Sequence, residues 1–208
     1  MLVKFCGFTR HNDLEEAARQ GIDAAGFIFY PDSPRYVTPA KAASLASVLE
    51  HTGIARVGVF VNTPADQVLS IAEKVPLDYL QLYDETLAGS LSSRCKVILA
   101  RRVRCGEDIP SVIDSKISYL LLDSWSSNSM GGSGISFDWS LVSGRNLHDR
   151  TIIAGGITVE NLPMLLERYR PFGIDLSSGI ESRPGVKSND KMKRIMTIVK
   201  EATYVHHA

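Results

Sequence analysis

The feature that most constrains this chain is an alternation. Short apolar runs, each closed by a turn residue, are followed by segments of helical period, and the pair repeats from one end to the other. Leu2-Val3-Lys4-Phe5-Cys6, Ala24-Ala25-Gly26-Phe27-Ile28-Phe29 and Arg56-Val57-Gly58-Val59-Phe60-Val61 read as the first three strands. Residues 77–82, 96–100 and 118–123 read as the next three, and Thr151-Ile152-Ile153-Ala154 and Gly173-Ile174-Asp175-Leu176 complete eight. Between them the pattern predicts a helix from Leu14 capped by Asn12 or Asp13, one over 38–51 with Pro39 in its first turn, and a Pro64-led helix to about residue 74 capped by Asn62 or Thr63. A weak helix over 85–92, a short one near 107–114, one starting at 137–139, one between the last two strands and a closing helix from Asn189 follow. Strands this continuously apolar are buried on both faces, and strand–helix repetition makes the sheet parallel. The predicted fold is therefore α/β: a single-domain (β/α)8 TIM barrel of eight parallel strands over 1–203, with a frayed tail at 204–208. An open doubly wound sheet is the alternative, and the absence of GxGxxG after the first strand removes its usual dinucleotide fingerprint.

Bulk properties narrow the function. A chain of 208 residues suits one well-buried domain. Lys plus Arg and Asp plus Glu both total 23, so there is no electrostatic footprint for nucleic acid or an anionic membrane, and a small molecule is the expected partner. No apolar run approaches the ~20 residues of a membrane span. Cys6, Cys95 and Cys105 have no paired metal spacing, and none of His11, His51, His148, His206 and His207 ends a predicted strand, so no metal site is expected. A reducing cytoplasm fits best, with the protein a monomer or homodimer.

The stretch 151–179 carries two glycine-bearing turns, Gly155-Gly156 and Ser177-Ser178-Gly179, each directly after an apolar strand. Backbone N–H groups in such turns converge on an anion, and in barrels of this kind a phosphate sits after the seventh and eighth strands. Gly155, Gly156, Ser178 and Gly179 are the candidate phosphate cradle; two ordinary turns are the alternative. Active sites in these barrels lie at the C-terminal strand ends, which singles out Cys6, Asp123 and, in the loop after the second strand, Arg35. A thiol with a reference pKa of ~8.5 is a usable base in positive surroundings, and a partly desolvated carboxyl is a usable acid near neutrality. The Arg35 fork, in a loop stiffened by Pro31 and Pro34, suits a substrate carboxylate. The alternatives are an apolar filler, a turn cap and a surface arginine.

Taken together, Val3-Lys4-Phe5-Cys6-Gly7-Phe8-Thr9, Ser33-Pro34-Arg35-Tyr36-Val37, Leu80-Gln81-Leu82, Leu121-Leu122-Asp123-Ser124, Gly131-Gly132-Ser133-Gly134, Ala154-Gly155-Gly156-Ile157, Asp175-Leu176-Ser177-Ser178-Gly179-Ile180-Glu181 and Pro184-Gly185-Val186-Lys187 resemble the phosphoribosylanthranilate isomerase family over the whole chain. The resemblance implies a cofactor-independent Amadori rearrangement of N-(5-phosphoribosyl)anthranilate to 1-(2-carboxyphenylamino)-1-deoxyribulose 5-phosphate in tryptophan biosynthesis. It implies that Asp123 is the general acid, Cys6 the general base, Arg35 the receptor of the anthranilate carboxylate and Asp175 a candidate ribose contact. The related histidine-pathway isomerase carries aspartate at the position of Cys6, so cysteine favours the anthranilate substrate. Two positions depart from the pattern: Tyr83-Asp84 stands where His-Gly is usual, and Ile135 where lysine is usual. A non-catalytic phosphate-binding scaffold and another phosphosugar barrel enzyme are the alternatives; intact Cys6 and Asp123 argue against the first. The glycine-rich stretch 124–134 is expected to close over the substrate.

Overall fold

The computed structural model describes residues 1–124, 138–142 and 149–204. The expected glycine-rich closing loop, Ile135 and the residues of the tail beyond 204 lie outside the described residues. Eight described strands form the closed parallel barrel that the alternation predicts: β1 (Leu2–Cys6), β2 (Ala24–Ile28), β3 (Ala55–Phe60), β4 (Tyr79–Leu82), β5 (Val97–Val103), β6 (Tyr119–Ser124), β7 (Thr151–Ile153) and β8 (Gly173–Leu176), with β8 pairing back onto β1. Helices α1 (His11–Gln20), α2 (Pro39–Ala46), α3 (Ala65–Lys74), α4 (Glu85–Leu91), α5 (Leu162–Tyr169) and α6 (Asn189–Tyr204) surround it. No helix among the described residues is long and apolar enough to cross a membrane.

The strand period of two explains why these runs look uniformly apolar. Val3, Phe5, Phe27, Leu80, Leu82, Leu120, Leu122 and Ile174 point outward into the main core beneath the helices. Ala24, Val57, Ile98, Ala100, Leu121, Ile152 and Ala154 form a second, smaller core inside the barrel. Branched Val57, Ile98, Leu121 and Ile152 fill it together with three alanines, because eight strands enclose only enough space for side chains.

Several local expectations are corrected. Helix α1 begins at His11 without a side-chain cap, and Asp13 is instead buried, accepting from the Lys187 backbone N–H at 3.0 Å. Helix α3 likewise has no side-chain cap: Pro64 occupies that position. Thr38 and Asp84 do cap α2 and α4, accepting from the N–H groups of Lys41 and Leu87. Strand β5 runs three residues past the predicted end at Ala100, and the helix expected near 107–114 is only a 3-10 turn, Gly106–Asp108. After β8 a 3-10 turn, Ser178–Ile180, leads into an unpredicted hairpin of β9 (Glu181–Arg183) and β10 (Val186–Lys187) before α6.

Candidate active site

Inward positions come every second residue along each strand, so once Cys6 faces the barrel mouth, Lys4 must face the interior one layer down. The same spacing runs Gln81 to Tyr83 on β4 and its following loop, and gives Asp123 on β6 and Asp175 on β8. Cys6, Gln81, Tyr83, Asp123 and Asp175 line one pocket at the C-terminal strand ends, together with Arg35 and the turns at Gly155-Gly156 and Ser178-Gly179. The structure thus brings every predicted site residue to a single cavity.

Cys6 is 5% exposed and sits beside Gly26 in the β1–β2 register. A Cβ on residue 26 would come within 2.6 Å of the Cys6 sulfur, so glycine there is what leaves room for the thiol. Lys4 is fully buried and donates to Asp175 Oδ2 at 2.9 Å. Burial opposes the Lys4 charge, but Asp175 and Cys6 outweigh it and hold the ammonium above its ordinary range. Burial pushes the Cys6 thiol up, with the charges of Lys4 and Lys187 pulling it back and Asp175 pushing it further. The net direction is upward, so Cys6 rests as a thiol at neutral pH.

Asp123, 7% exposed, has its carboxyl pushed up to about 6, first by burial and then by the neighbouring Asp175 charge. Tyr83 donates to Asp123 Oδ2 at 3.3 Å, and the Arg102 guanidinium stands 5.1 Å from the centre of the Tyr83 ring. Burial and then the Asp123 charge push the Tyr83 phenol well above its ordinary range.

Arg35 reaches the pocket, but part of its fork is already engaged. Its Nε and Nη2 donate to the Glu181 carboxylate at 2.7–3.1 Å. Glu181 also accepts from Lys187 Nζ at 2.8 Å, and that ammonium donates in turn to the Cys6 carbonyl at 2.5 Å. Burial raises Glu181, yet Arg35 and Lys187 more than offset it and keep the carboxyl below its usual range. Burial draws Lys187 below the usual range despite Glu181. This cluster of Arg35, Glu181 and Lys187 fixes the short hairpin against the end of β1.

At the predicted cradle, Gly155 and Gly156 both take positive φ, +80° and +66°. A Cβ at Gly179 would overlap the Ile157 carbonyl, so the two turns can approach as closely as they do only without one. Ser177 Oγ ties the second turn to the Cys6 carbonyl at 3.1 Å. Two buried acceptors on residues that line the pocket, Gln81 Oε1 and Asp175 Oδ1, have no hydrogen-bond partner among the described residues. Buried acceptors of this kind call for a donor from a ligand or ordered water.

Lys4, Gln81, Tyr83, Glu181 and Lys187 were not singled out from sequence as members of the site. Counting back by two from Cys6 would have found Lys4, and forward by two from Gln81 would have found Tyr83. Glu181 and Lys187 had no such signal, because the hairpin that carries them is two and three residues per strand. Among the described residues no group of three or more His, Cys, Asp or Glu side chains is arranged to hold a metal ion.

Comparison with known proteins fits this arrangement. Residues 3–198 match the family described as N-(5'phosphoribosyl)anthranilate (PRA) isomerase. The N-(5'-phosphoribosyl)anthranilate isomerase of Azotobacter vinelandii is 40% identical over 202 residues, covering 96% of this chain and 97% of that protein. The crystal structure of the Thermotoga maritima phosphoribosyl anthranilate isomerase superposes with a TM-score of 0.87 at 35% identity, covering 97% of this chain and 99% of that one. Another isomerase structure, solved in complex with reduced 1-(o-carboxyphenylamino)-1-deoxyribulose 5-phosphate, has a TM-score of 0.82 at 33% identity, covering 97% of this chain and 100% of the other.

Proposed function

The chain belongs to the N-(5'-phosphoribosyl)anthranilate isomerase family of tryptophan biosynthesis, and from that premise we propose that Asp123 and Cys6 are the acid and base of its reaction. Asp123 in its protonated form gives its proton to the furanose ring oxygen of N-(5-phosphoribosyl)anthranilate. The C1′–O bond breaks and the anilino nitrogen lone pair forms the C1′=N iminium. Cys6 as thiolate takes the C2′ proton, the C2′–H electron pair forms C1′=C2′, and the resulting enolamine tautomerises to the 2-ketose. Carbon C2′ is oxidised and C1′ reduced within one molecule, so the rearrangement is an aldose–ketose isomerisation that draws on no external redox partner.

The pKa directions order these steps. Asp123 near 6 keeps a usable protonated fraction at neutral pH. Cys6 rests as a thiol, and the iminium generated beside it adds a positive charge to those of Lys4 and Lys187, favouring the thiolate when it is needed.

The remaining contacts position the substrate. With Nε and one Nη2 hydrogen of Arg35 held by Glu181, the edge formed by Nη1 and the other Nη2 hydrogen remains for the anthranilate carboxylate. Backbone N–H groups of the turns at Gly155-Gly156 and Ser178-Gly179 take the 5-phosphate. The unpartnered acceptors of Asp175 and Gln81 meet ribose hydroxyls, which are donors.

The observation that carries this reading is that a buried thiol and a carboxyl of raised pKa face one cavity between the phosphate turns and a clamped arginine. Cys6→Ala and Asp123→Asn should each lower kcat by at least ~10²-fold, the usual worth of a general acid or base. Conversion of substrate, with the ketose product identified by mass and NMR, measures this; turnover within a few-fold of the parent in either variant rejects that residue's role.

A further inference from the structure

The mouth of the barrel holds a contact that the acid–base scheme leaves unused. Gln81 faces inward on β4, so Tyr83, two residues on, projects into the same mouth just past the strand end. Its hydroxyl reaches across β5 to Asp123 Oδ2 on β6. Strand β5 supplies the group between them: Arg102 is the register partner of Asp123, and its guanidinium lies over the Tyr83 ring. The end of β4, β5 and β6 thus bring a phenol, a guanidinium and a carboxyl side by side, with the phenol on one carboxyl oxygen.

We propose that Tyr83 is a positioning residue for proton delivery: it holds Oδ2 of Asp123, leaves Oδ1 to carry the proton to the ring oxygen, and stabilises the carboxylate once the proton has gone. This rests on the reading of Asp123 as the general acid. A phenol has one hydrogen to donate, and with its own ionisation pushed well above the ordinary range, Tyr83 remains a donor throughout the working pH range. The Ser124 backbone N–H also favours the ionised carboxyl, and the phenol adds a side-chain donor that holds Oδ2 as an acceptor. The O–O separation of 3.3 Å is longer than the usual 2.5–3.0 Å of such bonds. Hydrogen bonds of this kind commonly tighten as negative charge develops on the acceptor, which is when the proton leaves Asp123. The Arg102 charge reinforces the same state, and the Tyr83 ring gives that cation a face to rest on.

Tyr83→Phe separates the hydroxyl from the ring, because the aromatic face beneath Arg102 is retained. The expected result is a fall in kcat of roughly tenfold, the scale of one hydrogen bond to a developing charge, with KM changed less than about twofold. The titration of the Asp123 carboxyl, followed by carbon NMR, should move upward from about 6 in the variant, because the hydrogen bond that favours its ionised form is lost. The ionisation near that pH in the kcat/KM profile should move with it. An unmoved Asp123 titration, an unchanged kcat, or a rise in KM alone each overturns the proposal. Near-normal turnover in Asp123→Asn removes the acid role itself whatever Tyr83→Phe does, so the two failures are distinguished.

Discussion

The two ends of the barrel interior are built by the same eight strands with the same alternation, yet they hold opposite kinds of matter. At the N-terminal end the inward side chains are apolar or aromatic. Tyr79, Tyr119 and Phe172 pack ring against ring at 5.5–5.7 Å, and Tyr79 and Tyr119 pack against the cluster of Val57, Ile98 and Ile152. At the C-terminal end Lys4, Cys6, Gln81, Asp123, Asp175, Glu181 and Lys187 are all buried. The first end is ordinary core. The second contains charges that burial disfavours, held by ion pairing at 2.8–2.9 Å and by the hairpin that closes over β1. One end is thus held by apolar packing and the other by paired buried charge, and substitutions in the two layers should fail differently.

The sharpest break should come from Glu181→Ala. It leaves Arg35 and Lys187 as buried cations without their shared carboxylate, and loss of one partner from a buried charge cluster typically costs about 3–5 kcal/mol. Urea unfolding should show that loss, and KM should rise because Arg35 is no longer held; an unfolding midpoint close to the parent's would mean the cluster contributes little.

A change of opposite sign is expected at Asp123. Its unfolded pKa is ~3.9 and its folded value about 6, so between those values the folded chain holds a proton that the unfolded chain has lost. Ionising it destabilises the fold as pH rises, by roughly 2–3 kcal/mol once pH exceeds the folded value. Asp123→Asn should thus be inactive but more stable than the parent at pH 7.5, the gain fading towards pH 4. Equal differences at both pH values would contradict the raised carboxyl.

The smallest effect belongs to the other layer. Ile152→Val should lower stability by about 0.5–1.5 kcal/mol, as for other buried methylene deletions, and leave kcat and KM unchanged. A change in kcat there would erase the division between the two ends.

How much of this was legible in the sequence follows the same division. Regular alternation specified the strands, and strand-end position located Cys6 and Asp123 without any knowledge of their neighbours. Contacts between distant parts of the chain were not legible. Asp13 looked like a helix cap, but the Lys187 backbone, 174 residues away, takes its carboxylate, and a tertiary hydrogen bond overrides the local one. Arg35 read as a free fork because Glu181 lies 146 residues away. The fifth strand was read only to Ala100, but β5 runs on to Val103, with Arg101 meeting Glu85 and Arg102 over the Tyr83 ring at the mouth. The expected helix after β5 shrinks to one turn before Ile109-Pro110, where proline lacks an N–H to donate and disfavours helical backbone at the residue before it.

The thiol proposed as the base sits on the seam where the barrel closes. Strand β1 and the loop after it receive Asp175 against Lys4, Ser177 and Lys187 against the Cys6 carbonyl, and Gly185 against Thr9, all from residues 175–187. A chain still emerging from the ribosome with its C-terminal segment unmade has Cys6 but none of these partners. If Cys6 is the base as proposed, turnover requires β8 and the β9–β10 hairpin to have docked on β1, so activity reads out closure of the barrel.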